Sequence, residues 1–169
     1  MRYVYIDGYN VINSWSELRK LKDQSFEIAR AGLIDIIQEY AVYNGYKVFI
    51  VFDAHKVLGS IEKKEKIGSV IVVFTKEGET ADSFIEKNVN NIGRKKDVLV
   101  VTSDSLEQQL IFQRGATRMS SLEFKVEVNN IKNKIAKRTK EKYSKKRNWL
   151  EDFVDEETLE KLEKIRRNN

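Results

Sequence analysis

Three observations predict a doubly wound α/β fold. Short runs rich in β-branched and aromatic residues recur along the chain, the segments between them carry helical spacing, and carboxylates cluster just after the runs. The runs are Tyr3 to Ile6, Lys47 to Phe52, Ser69 to Phe74 and Asp97 to Thr102. Apolar runs this continuous suit strands buried on both faces, as in a parallel sheet. Strands alternating with helices then imply right-handed crossovers.

The helices follow from spacing and end signals. Phe26, Ala29, Leu33, Ile37 and Tyr40 recur at intervals of three and four, and Asn44-Gly45 follows as a stop. Thr80 is a candidate N-cap for a helix over Ala81 to Val89, with Phe84 and Ile85 facing inward. Ser105 to Gln113 reads as another helix, ended by Gly115. After Ser120 the pattern changes: Phe124, Val128, Ile131 and Ile135 form one apolar stripe on a long helix. The last piece, Glu156 to Arg167, puts Leu159, Leu162 and Ile165 on one face, with acids early and arginines late as the helix dipole favours. The expected organisation is an α/β domain over residues 1–120 and a helical extension over 121–169 packed on it.

Composition removes several chemistries. The 169 residues include no cysteine and a single histidine, His55. Disulfides, thiolate-bound zinc and paired-histidine catalysis are therefore excluded, and a metal site has to be built mainly from oxygen ligands. The N-terminal apolar stretch is too short for a signal peptide, and the longest apolar runs fall far short of a membrane span. The expected location is cytoplasmic, without membrane contact or organic cofactor.

Charge is unevenly placed. Between Ile131 and Arg147 stand Lys132, Lys134, Lys137, Arg138, Lys140, Lys142, Lys145, Lys146 and Arg147 against Glu141 alone, a net +8. The whole chain carries +5, so the remainder sums to −3. A solvated helix face is the simplest account of such a run. Its near-absence of acids, in a chain otherwise rich in them, favours contact with a polyanion such as RNA.

In open α/β sheets, ligands bind outside the carboxyl ends of the strands. Asp7 follows the first run, Asp53 the second, Glu79 and Asp82 the third, and Ser103-Asp104 the fourth. Two carboxylates about 4 Å apart at an effective dielectric near 20 repel by roughly 4 kcal/mol, so a cluster of them needs protons or a cation. All-oxygen donors favour Mg²⁺ or Mn²⁺, ions suited to phosphodiester hydrolysis. Asp7, Asp82 and Asp104 are the leading ligands, and Asn10 is a candidate to orient phosphate or water. Asp53 is open between site and structure. Glu79 is open between a cap, a water-mediated contact and solvent, the last being the simplest. His55 reads as a hydrogen-bonded neighbour, Ser103 and Thr80 as caps, and Gly8 as a point of close backbone approach. Tyr9 and Trp15 are candidates for base stacking, although aromatics more often serve the core.

Asp7-Gly8-Tyr9-Asn10-Val11-Ile12, Val51-Phe52-Asp53-Ala54-His55, Glu79-Thr80-Ala81-Asp82 and Thr102-Ser103-Asp104 form a specific conjunction, joined by Glu107-Gln108, Gly115-Ala116 and Arg118. Together they resemble the YacP-like NYN-domain proteins, relatives of the PIN nucleases, over almost the whole chain. The resemblance implies a PIN-like three-layer α/β/α fold with a mainly parallel sheet. It also implies a divalent-metal endoribonuclease with Asp7, Asp82 and Asp104 in the acidic site and Asn10 beside them. More narrowly, it implies a ribosome-associated enzyme that cuts translated mRNA in the A site. The rival expectation is a non-catalytic ribosome- or RNA-binding module whose acids hold a structural cation.

Overall fold

The computed structural model describes residues 1–53, 61–93, 96–103 and 116–151 (backbone alone over 144–151) and positions 158, 161, 164 and 165. Its strands are β1 (Tyr3–Asp7), β2 (Lys47–Phe52), β3 (Lys63–Ile67), β4 (Val70–Phe74), β5 (Val98–Val101) and β6 (Thr117–Met119). The helices are α1 (Gly8–Ser14), α2 (Ser16–Lys22), α3 (Phe26–Asn44), α4 (Ala81–Ile92) and α5 (Ser121–Glu151). All four expected strands are present. The helix expected over Ser105 to Gln113 lies outside the described residues, as do His55 and Asp104.

The six strands form one sheet in the order β3-β4-β2-β1-β5-β6. Every neighbouring pair is parallel except β3 with β4. From β1 the chain winds outward through β2 to β4, then returns to lay β5 on the other side of β1. Winding direction therefore reverses between β1 and β5, and the crevice beyond their carboxyl ends is the switch point of the sheet.

The apolar runs end up where their composition requires. Val4, Ile6, Ile50, Val51, Phe52, Val73 and Val98 to Val101 are at most a few per cent exposed. Each buried aliphatic side chain contributes on the order of 1.5–3 kcal/mol, which explains why these runs take the sheet centre. One face packs on α4: Tyr5, Val51, Val73 and Val100 share a core with Ala81, Phe84, Ile85 and Val89. Alternate residues, among them Phe52 and Phe74, point to the other face, where the Arg30 guanidinium of α3 lies over the Phe74 ring.

Helix ends follow the expected chemistry. Ser25 caps α3, and Gly45, at φ 65°, supplies the left-handed residue that closes it. Thr80 Oγ1 caps α4 by accepting from the Ser83 amide. A capping box opens α5, with Ser120 N donating to Glu123 Oε2 at 2.8 Å and Glu123 N donating to Ser120 Oγ at 3.2 Å.

The chain divides into two compact units, Met1–Ile131 and Lys132–Asn169. Within the first unit, the opening turns of α5 are tied down firmly. Phe124, Val128 and Ile131 are buried. Trp15 Nε1 donates to Ser121 O at 2.7 Å, the Tyr40 hydroxyl donates to Glu127 Oε1 at 2.7 Å, and Lys125 Nζ meets Glu17 Oε2 at 2.6 Å. In the second unit, Lys132, Lys134, Lys137, Arg138, Lys140 and Lys142 are all exposed. Among the described residues, no helix is long and apolar enough to cross a membrane.

Candidate active site

The alternation of a strand decides which carboxylates can meet. Asp7 and Asp53 stand two residues beyond Tyr5 and Val51, whose side chains enter the α4 core. Asp82 lies in the first turn of that same helix. Three carboxylates from distant parts of the chain are thus delivered to one corner of the sheet.

Their electrostatics record the meeting. Burial pushes the Asp7 carboxyl above the ordinary carboxylate range, and the negative charge of Asp53 pushes the same way. The backbone amides of Asn10 and Tyr9 pull against both, and Asp82 is close enough to hydrogen-bond the Asp7 carboxyl. The Asn10 amide donates to Asp7 Oδ1 at 2.9 Å, which makes Asp7 the N-cap of α1. Two carboxyl groups in hydrogen-bonding reach share a proton, unless a cation takes its place.

Glu79 Oε2 is buried and accepts no hydrogen bond among the described residues. Glu79 therefore turns an oxygen inward, where sequence alone favoured solvent. Asp53 and Asp82 have other interactions, and each also buries an Oδ1 that accepts no hydrogen bond among the described residues. The described residues contain no group of three or more His, Asp or Glu arranged to hold a metal ion. Their donor chemistry fits a hard divalent cation all the same: every candidate donor is a carboxylate oxygen, and several of those oxygens are buried with room in their hydrogen bonding.

Asn10 performs a task that sequence alone did not disclose. Its Oδ1 accepts from Ser103 N at 3.2 Å and from Ser121 Oγ at 2.8 Å. Ser121 N in turn donates to Ser103 Oγ at 3.3 Å. The three residues close a ring of hydrogen bonds joining α1, the end of β5 and the start of α5. Asn10 thereby fixes the chain at Ser103, immediately before Asp104, relative to Asp7. Ser103 serves this ring.

Gly8 is required by space. A Cβ there would stand 2.3 Å from the Phe52 ring, so only glycine lets α1 start on top of β2. The two aromatic candidates separate. Trp15 is 1% exposed, with its indole N–H spent on Ser121, so it belongs to the core. Tyr9 is half-buried, its ring edge-on to Phe26 and Phe52 and its hydroxyl accepting from Arg30 Nη1 at 2.9 Å. Arg30 was not singled out by the sequence, since an arginine on an amphipathic helix resembles any other solvent-facing charge.

Comparison with known proteins agrees with this fold. The model of the YacP-like NYN domain matches residues 4–167. The uncharacterized protein YacP of Bacillus subtilis (strain 168) is 44% identical over 170 residues, covering 99% of this chain and 98% of that protein. The crystal structure of Rae1 (YacP) from Bacillus subtilis is similar with a TM-score of 0.74 and 42% identity, covering 99% of this chain and 95% of that one. A mutant of the same protein has a TM-score of 0.74 at 41% identity over 85% of each chain. The fold is that of a doubly wound α/β domain, and the family it matches is of nuclease type. The chain belongs to the YacP-like NYN domain family.

Proposed function

We propose that this protein is a divalent-metal-dependent endoribonuclease that cleaves translated mRNA in the ribosomal A site. The observation that carries the reading is the meeting of Asp7 with Asp53 and Asp82, buried enough to raise the Asp7 carboxyl. Burying adjacent like charges is costly, and such perturbed carboxylates cluster at functional sites. Asp7 and Asp82, with Asp104 next in sequence after Ser103, would hold Mg²⁺ or Mn²⁺. Such an ion, when bound, neutralises phosphate charge and activates water for attack on phosphorus.

The chain's own groups supply the rest. Asn10 holds Ser103 and the backbone leading to Asp104 in register with Asp7. Glu79 and Asp53 add inward carboxylate oxygens that adjust charge around the ligands. A carboxylate site repels RNA, so capture needs a separate positive surface. The exposed cations Lys132, Lys134, Lys137, Arg138, Lys140 and Lys142, continued in sequence by Lys145, Lys146 and Arg147, provide that surface for RNA or the ribosome. Work on ribosomes places the protein in the cytoplasm.

Mapping of mRNA ends on translating ribosomes, with wild type and Asp7→Asn, tests the proposal. We expect new ends inside the A-site codon that require Mg²⁺ or Mn²⁺ and vanish in the variant, while ribosome association persists. Ribosome binding without cleavage by wild type under either metal would instead establish a binding module.

A further inference from the structure

On the α3 side of the sheet's carboxyl edge, Tyr9 is two residues from Asp7 and touches three other side chains, Phe52, Phe26 and Arg30. Its ring meets Phe26 edge-to-face at 5.7 Å, and its hydroxyl accepts from Arg30 Nη1 at 2.9 Å. Phe26 opens α3 and is 36% exposed, unusual for a residue that its spacing assigns to an apolar stripe. Lys22 Nζ lies 5.8 Å from the centre of the Phe26 ring, and the Arg30 guanidinium lies 5.7 Å from that of Phe74. The Arg30 side chain is 20% exposed, and its partner Glu27, at 3.3 Å, is itself 80% exposed and displaceable.

We infer that Tyr9, Phe26, Arg30 and Lys22 form a subsite for single-stranded RNA beside the acidic site. In this subsite a base stacks on Phe26, and the adjoining phosphate takes the place of Glu27 on Arg30. An exposed ring with Lys22 beside it and Arg30 one residue away through Tyr9 has the two elements that single-stranded nucleic acid demands, a stacking face and phosphate charge compensation. Arg30 is already oriented by the Tyr9 hydroxyl and the Phe74 ring, so little side-chain freedom is lost when phosphate arrives. Tyr9 sits between this patch and Asp7, so it sets the path of the strand as it enters the acidic corner.

The inference rests on the nuclease reading, and its test is separable from it. Binding of a fluorescent single-stranded RNA oligonucleotide is measured in the Asp7→Asn background, where no cleavage intervenes, and metal-dependent cleavage is followed separately in the wild-type background. Phe26→Ala is expected to weaken binding about five- to a hundred-fold, with Phe26→Trp restoring it. Arg30→Gln is expected to weaken binding and lower the salt slope by about one, with Arg30→Lys recovering the slope but not the full affinity. In cleavage, both losses should fall on KM more than on kcat. Thermal unfolding of each variant confirms that it is folded. Unchanged affinity and salt slope in folded Phe26→Ala and Arg30→Gln would overturn the subsite even if wild type cuts RNA. Weakened binding in a protein that never cuts RNA would uphold the subsite and overturn only the nuclease reading.

Discussion

Asp7, Asp53 and Asp82 come from the end of β1, the residue after β2 and the first turn of α4, whereas Lys132 to Lys142 follow one another along a single helix. The acids are assembled by topology. Their positions depend on strand register, on Gly8 yielding space to Phe52, and on the Asn10 ring, so each is costly to displace. The cations are assembled by local density on exposed turns, where no single residue is fixed by packing. The first arrangement suits chemistry, which needs positions held to a fraction of an ångström. The second suits capture, which needs only a summed field.

The contrast is tested most severely at Asp7. Asp7→Asn should lower metal-dependent cleavage by more than about 100-fold, beyond the range seen for outer-shell partners. Asparagine also caps helices, so α1 should survive. The raised Asp7 carboxyl predicts a further effect in the metal-free protein. A raised folded-state pKa favours folding at acid pH and loses that contribution as pH rises through it. The metal-free variant should therefore be more stable than wild type at neutral pH, with the difference shrinking towards pH 4. Thermal unfolding across pH checks this, and equal melting at all pH values would remove burial as the cause.

The basic helix should respond in the opposite manner. Replacing Lys137, Arg138, Lys140 and Lys142 together with Gln should weaken RNA or ribosome binding about ten-fold or more and flatten its salt dependence. Stability should move by no more than about 0.5 kcal/mol, as for exposed sites generally. An unchanged salt slope would return the run to an ordinary solvated face.

Two smaller effects probe how the acids are held. Gly8→Ala forces a methyl group against the Phe52 ring and should cost about 1–3 kcal/mol in denaturant unfolding, with loss of activity as Asp7 shifts. Ser121→Ala removes one donor from Asn10 Oδ1 and should cost about 1 kcal/mol. Its half-saturation for Mg²⁺ should also rise, because Ser103 loses register with Asp7. If Ser121→Ala changed stability but not metal dependence, the ring would be scaffolding alone.

What sequence discloses follows from how each feature is encoded. The central strands are legible because burial on both faces demands unbroken apolar runs. β3 is not, since four of its five residues, Lys63 to Lys66, are exposed, and it is held mainly by backbone pairing with β4. β6 has three residues, too few for a pattern. Asp7 and Asp82 announce themselves through strand-end and cap positions. The Asn10 and Ser121 bond joins residues 111 apart, and nothing local marks it. Helical spacing groups Phe26 with Leu33 and Ile37 in α3 but does not disclose that, at the first position of the helix, its ring stays 36% exposed.

β3 has a consequence of another kind. Among the described residues it is one of the two edge strands of the sheet, and an edge strand offers unpaired backbone groups to any extended chain nearby. Lys63, Lys64 and Lys66 charge that border, so that a second molecule adding its own strand would have to desolvate them. The lysines thus keep separate molecules from fusing sheet to sheet, protecting solubility at high local concentration. Valine or threonine at these positions would strengthen the strand and endanger the protein.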